Sequence, residues 1–134
     1  MSLLVGLMAT VFFYGGFSQP NDDRAGVQPD QQKAETLSQE DWQLWQKRKL
    51  IEAEAKFVQA VKLGPKLDNA WNGLGWSQFN QGKTDEAIEA FQQCVSITPN
   101  HGAGQNGLGQ SFYVQGKMEL AEKHFLKAKN TSAA

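Results

Sequence analysis

Apolar and polar residues are distributed along the chain in three different ways. Leu3 to Phe17 is an almost unbroken apolar run with three glycines, and Met1 to Asn21 holds no Asp, Glu, Lys or Arg. Ser18 to Gln31 carries Pro20, Asn21, Asp22, Asp23, Gly26 and Pro29, the composition of a turn-rich linker. From about Lys33 onward, apolar residues recur at helical spacing between regularly placed glycines. Ala87, Phe91 and Cys94, for example, stand at i, i+4 and i+7 and make one stripe of a helix. The pattern predicts an apolar head over 1–17, a linker over 18–33 and a helical body over 34–134.

The body repeats itself with a period of 34 residues. Asn72-Gly73-Leu74-Gly75 recurs as Asn106-Gly107-Leu108-Gly109, and Gln81-Gly82-Lys83 recurs as Gln115-Gly116-Lys117. Ala53, Ala87 and Ala121 keep the same spacing, as do Phe57, Phe91 and Phe125, and Pro65 and Pro99. Five independent sets at one period define units at 34–67, 68–101 and 102–134. Within a unit, Trp71 and Leu74 fall on one helical face, and Gly75 permits close approach of a neighbouring helix. Gly82 and Gly116 supply the turn that reverses the chain, and Pro99 ends the second helix. Such a helix pair cannot bury its apolar face alone, so the units must stack.

These residues resemble the tetratricopeptide repeat, whose pattern is W-x2-L-G-x2-Y, then A-x3-F, then P. The middle unit matches with Trp71, Leu74, Gly75, Ala87, Phe91 and Pro99, and has Gln78 where the aromatic is expected. The last unit matches with Leu108, Gly109, Phe112, Ala121, Phe125 and Ala128, and departs at Gln105 and Ala133. The resemblance implies an all-α fold, a short right-handed solenoid of two to three helical hairpins. The first unit matches in its second half through Ala53, Phe57, Ala60 and Pro65. Its first half has Glu40 and Asp41 in place of Leu and Gly, and Arg48 in place of the turn glycine. Two readings stand there, a hairpin or one long fused helix from Asp41 to Leu63, with Ser38 and Asp41 as a capping start.

In arrays of this family the first helix of each unit lines a concave groove, where peptides usually bind. Opposite the core-facing Trp71, Leu74 and Gly75, that helix of the middle unit carries Asn72, Trp76 and Phe79. A shift of 34 gives Asn106, Gln110 and Tyr113, and the reverse shift gives Ser38, Trp42 and Trp45. The expected groove is aromatic and amide-rich and contains no Lys or Arg, so it is unsuited to gripping a chaperone's C-terminal carboxylate. Trp42, Trp45, Trp76 and Phe79 each carry roughly 150–250 Å² of surface. Left uncovered they would match or exceed a soluble monomer's usual apolar patch, so either a partner or internal packing must cover them.

The remaining chemistry is sparse. Thirteen Lys+Arg against fourteen Asp+Glu, a net charge of −1, disfavours a nucleic-acid binder. One cysteine excludes an intramolecular disulfide, and two scattered histidines with it do not form a zinc site of the usual kind. Cys94 is expected to be buried and inert, His101 to be a solvated loop residue and His124 to lie on the surface. Gly102 to Gly107 matches a G-x-G-x-x-G phosphate loop only superficially, because a helix precedes it where a strand is required. No cofactor, metal or catalytic residue is expected.

The function read from the sequence is a non-catalytic protein-interaction scaffold binding an apolar peptide or its own copies. The alternative is a membrane-anchored assembly factor of the cell envelope, with the head as anchor. As a helix, Leu3 to Phe17 spans roughly 22 Å against a hydrocarbon core of roughly 30 Å, and it lacks a basic flank. It could also belong to a neighbouring domain, or pack as a ligand on its own array or on a second copy's, since the linker reaches about 20 Å. Leu120, Phe125 and Leu126 are expected to leave an apolar edge for self-association. The compartment, cytoplasm or envelope, is left open.

Overall fold

The computed structural model describes residues 29–132, and the apolar head lies outside them. The described residues form six helices: α1 (Pro29–Gln46), α2 (Leu50–Leu63), α3 (Asp68–Phe79), α4 (Thr84–Ile97), α5 (Gly102–Val114) and α6 (Met118–Ser132). They pair as three hairpins, α1 with α2, α3 with α4 and α5 with α6. Successive first helices touch one another, α1 with α3 and α3 with α5, whereas α2, α4 and α6 make no such mutual contacts. The array therefore bends with its first helices on the inner side.

The first unit is a hairpin, not a fused helix. Arg48 takes φ 61°, and 34 and 68 residues later Gly82 and Gly116 take φ 81° and 75°. Arg48 thus adopts the left-handed turn that glycine adopts at lower cost in the other units. Two expectations are corrected here. Helix α1 begins at Pro29, so residues 29–33 are helical and not linker, and proline suits a first helical position because its missing N–H would have no partner there. Ser38 is no cap either; it lies inside α1 and its hydroxyl donates to the Ala34 carbonyl at 2.9 Å.

The hairpins are joined by phenylalanines seated against glycines. Phe57 and Phe91 are fully buried. A Cβ on Gly73 would stand 2.3 Å from the Phe57 ring, and one on Gly107 would stand 2.4 Å from Phe91. Phe91 also lies against Gly75 of its own unit, where a Cβ would stand 2.6 Å from the ring. Each ring therefore bridges its own unit and the next, and only glycine permits that approach. Phe125 meets Gly109 of its own unit and remains half-buried.

A repeated tether closes the connections. The Trp71 Nε1–H donates to the Pro65 carbonyl at 2.9 Å, and Gln105 Nε2 donates to the Pro99 carbonyl at 2.9 Å. Gln105, a departure from the repeat pattern, thus keeps the hydrogen bond of the tryptophan it replaces. The turn glutamines also act in register. Gln81 donates to Glu54 at 2.7 Å, where Lys83 joins it at 2.9 Å, and Gln115 donates to Asp85 at 2.6 Å. Each turn thereby clasps the second helix of the preceding unit.

Candidate functional site

The inner face is built from α1, α3 and α5, which bring together the residues expected from the 34-residue shift. Its aromatics, however, are largely spent on packing. Trp42 stands edge-on to Phe57 at 5.4 Å between centroids and to Trp45 at 5.5 Å. Trp76 does the same with Phe91 at 5.2 Å and Phe79 at 5.6 Å. All four of Trp42, Trp45, Trp76 and Phe79 are half-buried against the core, so internal packing, one of the two readings of these rings, covers part of each. The reason is the edge-to-face geometry, which the buried phenylalanines offer to the ring one helix away. Tyr113 differs, since it is 60% exposed.

The amides of this face are unevenly placed. Asn106 and Gln110 are half-buried, whereas Asn72 is only 5% exposed and its Oδ1 has no hydrogen-bond partner among the described residues. Between α1 and α3 the face opens into a cleft of about 560 Å³, lined by Glu35, Ser38, Gln39 and Trp42 on one side and by Leu67, Asp68, Asn69 and Ala70 on the other. Its rim holds no lysine or arginine. A half-exposed indole beside amides and two carboxylates can cover an apolar side chain while bonding an extended backbone.

The two histidines depart from their expected places. His101 caps α5: its Nδ1 accepts from the Gly104 N–H at 3.0 Å, which leaves Nε2–H to donate to Asn69 Oδ1 at 3.0 Å. His124 is half-buried, stacked on Phe112 at 5.5 Å, and bonded through Nδ1 to Gln105 Oε1 at 2.7 Å. Because the Gln105 amide nitrogen is committed to Pro99, its oxygen faces the imidazole and Nδ1 carries the proton. Burial, and then Lys127 and Lys123, hold His124 below the ordinary histidine range. Among the described residues no three His, Cys, Asp or Glu side chains are grouped to hold a metal.

Cys94 is fully buried, and burial, with Asp68 adding to it, pushes its thiol up to about 12. Asp41 was not singled out by sequence reasoning as a buried acid. It occupies the place of Gly75 and Gly109, is 1% exposed, and its Oδ2 has no partner among the described residues. Burial raises its pKa to about 6, with Lys56 opposing and Glu40 adding to the rise. The signal was available in the repeat itself, as a carboxylate where the pattern demands a glycine.

The expected apolar terminal edge is also revised. Glu122 and Lys129 stand on α6 where α4 has Ile88 and Val95, which are half-buried in the core. Leu120 and Leu126 are exposed, but they correspond to Glu86 and Gln92, which are exposed on α4 as well. The side of α6 facing along the array is therefore mixed, with Phe125 its apolar centre.

Residues 69–101 match the family model of the tetratricopeptide repeat. That match covers the middle hairpin, and the hairpins on either side keep its 34-residue register, so the described residues form a tetratricopeptide-type helical solenoid. Among solved structures it is similar to MamA of MSR-1, at 26% identity and a TM-score of 0.67, over 75% of this chain and 57% of that one. A second MamA structure matches at 24% identity and a TM-score of 0.69, over 75% and 58% of the two chains. The type III secretion translocator chaperone SycD of Yersinia enterocolitica shares the fold at 19% identity and a TM-score of 0.72, over 76% and 77%. This chain thus spans a little over half the length of the MamA structures. No curated protein sequence matches it.

Proposed function

We propose that the chain is a non-catalytic adaptor whose inner face binds an extended, apolar, uncharged peptide segment. The observation that carries this reading is the cleft of about 560 Å³ between α1 and α3, with the half-exposed Trp42 ring set among Ser38, Gln39 and Asn69. Its volume falls within the roughly 300–1,000 Å³ usual for ligand clefts. Asn72, Trp76, Asn106, Gln110 and Tyr113 continue the face across α3 and α5, with Trp45 and Phe79 as packing beneath it.

A second copy, or the chain's own residues 3–17, is a candidate source of such a segment. That run is apolar and uncharged. The head also carries the alternative, an envelope-anchored assembly factor, and it lies outside the described residues. Among those residues no helix is long and apolar enough to cross a membrane.

The test is selection of peptides from a displayed random library against the full chain, followed by NMR mapping. Apolar peptides are expected to shift Ser38, Asn69, Asn72, Asn106 and Gln110, and Gln39→Lys with Tyr113→Ala should weaken them about tenfold. Peptides that map to α2, α4 or α6, or that ignore both substitutions, overturn the proposal. Light scattering on the chain with and without residues 1–17 then decides the source of the segment.

A further inference from the structure

On the opposite side of the array, where the second helices splay apart, a cleft of about 510 Å³ lies between α4 and α6. We propose that this cleft is a second binding site, for a carboxylate carried on a short apolar group. It is independent of the inner-face reading, because it shares no residue with that face.

Comparison of the two junctions of the array shows how the cleft arises. At the first junction Trp71 extends from its tether on Pro65 and packs against the core cluster to which Ala90 belongs. At the second, the equivalent residues are Gln105 and His124. Gln105 keeps the tether to Pro99 but lacks the indole, so the space that Trp71 fills is left open. The two replacements are mutually fitted, since Gln105 Oε1 accepts from His124 Nδ1 at 2.7 Å. An amide and an imidazole locked together beneath an open cleft are a built polar floor; Gln105 itself is 3% exposed.

The lining decides the ligand's chemistry. Val95 and Pro99 offer an apolar wall, while Lys127 and Asn130 offer nitrogen donors above the His124 ring, whose one N–H is held by Gln105. No carboxylate lines the cleft, and among the described residues Lys127 has no salt-bridge partner. At the first junction the residue equivalent to Lys127 is the uncharged Gln93. Lysine and imidazole thus enter together at the junction that lost its tryptophan. A carboxylate on Lys127, with a branched apolar group against Val95 and Pro99, satisfies both halves of the lining.

The experiment is an NMR titration of the full chain with N-acetyl-leucine at constant pH. Its methyl ester is the uncharged control, and acetyl-Gly-Gly-Leu with a free C-terminus is the longer probe. The acid is expected to produce saturable shifts at Val95, Lys127 and the His124 ring, and the ester to bind about tenfold more weakly or worse. Lys127→Gln should weaken the acid by a similar factor. The pair Gln105→Trp with His124→Ala rebuilds the first junction, so it should fold and abolish binding. A tripeptide that binds more tightly than N-acetyl-leucine assigns the site to peptide ends, and one that binds more weakly assigns it to free acids. Equal binding of acid and ester, shifts away from the cleft, binding that persists in the rebuilt junction, or no saturable shift overturns the proposal.

Discussion

Replacing Gly107 by alanine tests the joint between the second and third hairpins directly. In a helix interior the change should help by about 0.8–1.0 kcal/mol, because alanine gives up less backbone freedom on folding. Packing opposes it. The new methyl would stand 2.4 Å from two carbons of the Phe91 ring, which is fully buried and also lies so close to Gly75 that a Cβ there would stand 2.6 Å from it. The ring cannot withdraw, so the cost belongs at the upper end of the roughly 1–3 kcal/mol for overpacking. The net loss is about 2 kcal/mol, or roughly 10 °C in the thermal midpoint. Gly109→Ala is the internal control. Its methyl would meet Phe125 at 2.5 Å, nearly the same distance, but Phe125 is half-buried and can swing outward. That variant should stay within about 0.5 kcal/mol of the parent. Urea unfolding followed by far-UV circular dichroism separates the two. Equal stabilities, or a Gly107→Ala chain more stable than the parent, would refute the argument that confinement of the ring sets the cost.

Three further outcomes follow from the same geometry. Asp41 has a folded pKa of about 6 against 3.8 for an ordinary aspartate, so the folded chain holds the extra proton between those values. Stability should therefore fall as pH rises from about 4 to about 6, by on the order of 2–3 kcal/mol, and Asp41→Ala should flatten the urea midpoint across that window and raise it at pH 7. Arg48→Gly should stabilise the chain by about 1 kcal/mol and Gly82→Ala should destabilise it by a similar amount, both read by thermal melts, because each position requires a left-handed backbone. Cys94, with its thiol pushed up to about 12, should not react with a thiol reagent at pH 8 until the chain is unfolded by urea, and rapid labelling of the native chain would contradict its burial.

Hairpin number and helix pairing were legible because they depend on a periodicity, and a periodicity survives local substitutions. Arg48 shows the limit. A long cationic residue hides a turn that is legible only after its alignment with Gly82 and Gly116 is taken to fix its backbone. The inner face was legible as a set of positions but not as a surface. Spacing places Trp42 and Trp76 on that side, yet their exposure depends on whether Phe57 and Phe91 present an edge to them, and this is a distance between helices. His124 and Gln105 were illegible for a related reason. Each is an unremarkable departure alone, and only their 2.7 Å contact makes them a pair. The start of α1 was misplaced because a linker composition and a helix-opening proline look alike in sequence.

The seating of Phe57 against Gly73 and of Phe91 against Gly107 means that no hairpin owns its own core. Every joint presents the same ring to the same notch, so the array is assembled from interchangeable couplings. Length can then change only in whole steps of the period. A duplicated 68–101 would meet a matching ring on one side and a matching notch on the other, whereas a cut inside a unit would strand a phenylalanine. Gradual growth by single residues is closed to such a chain, and the route open to its evolution is copying of the complete unit.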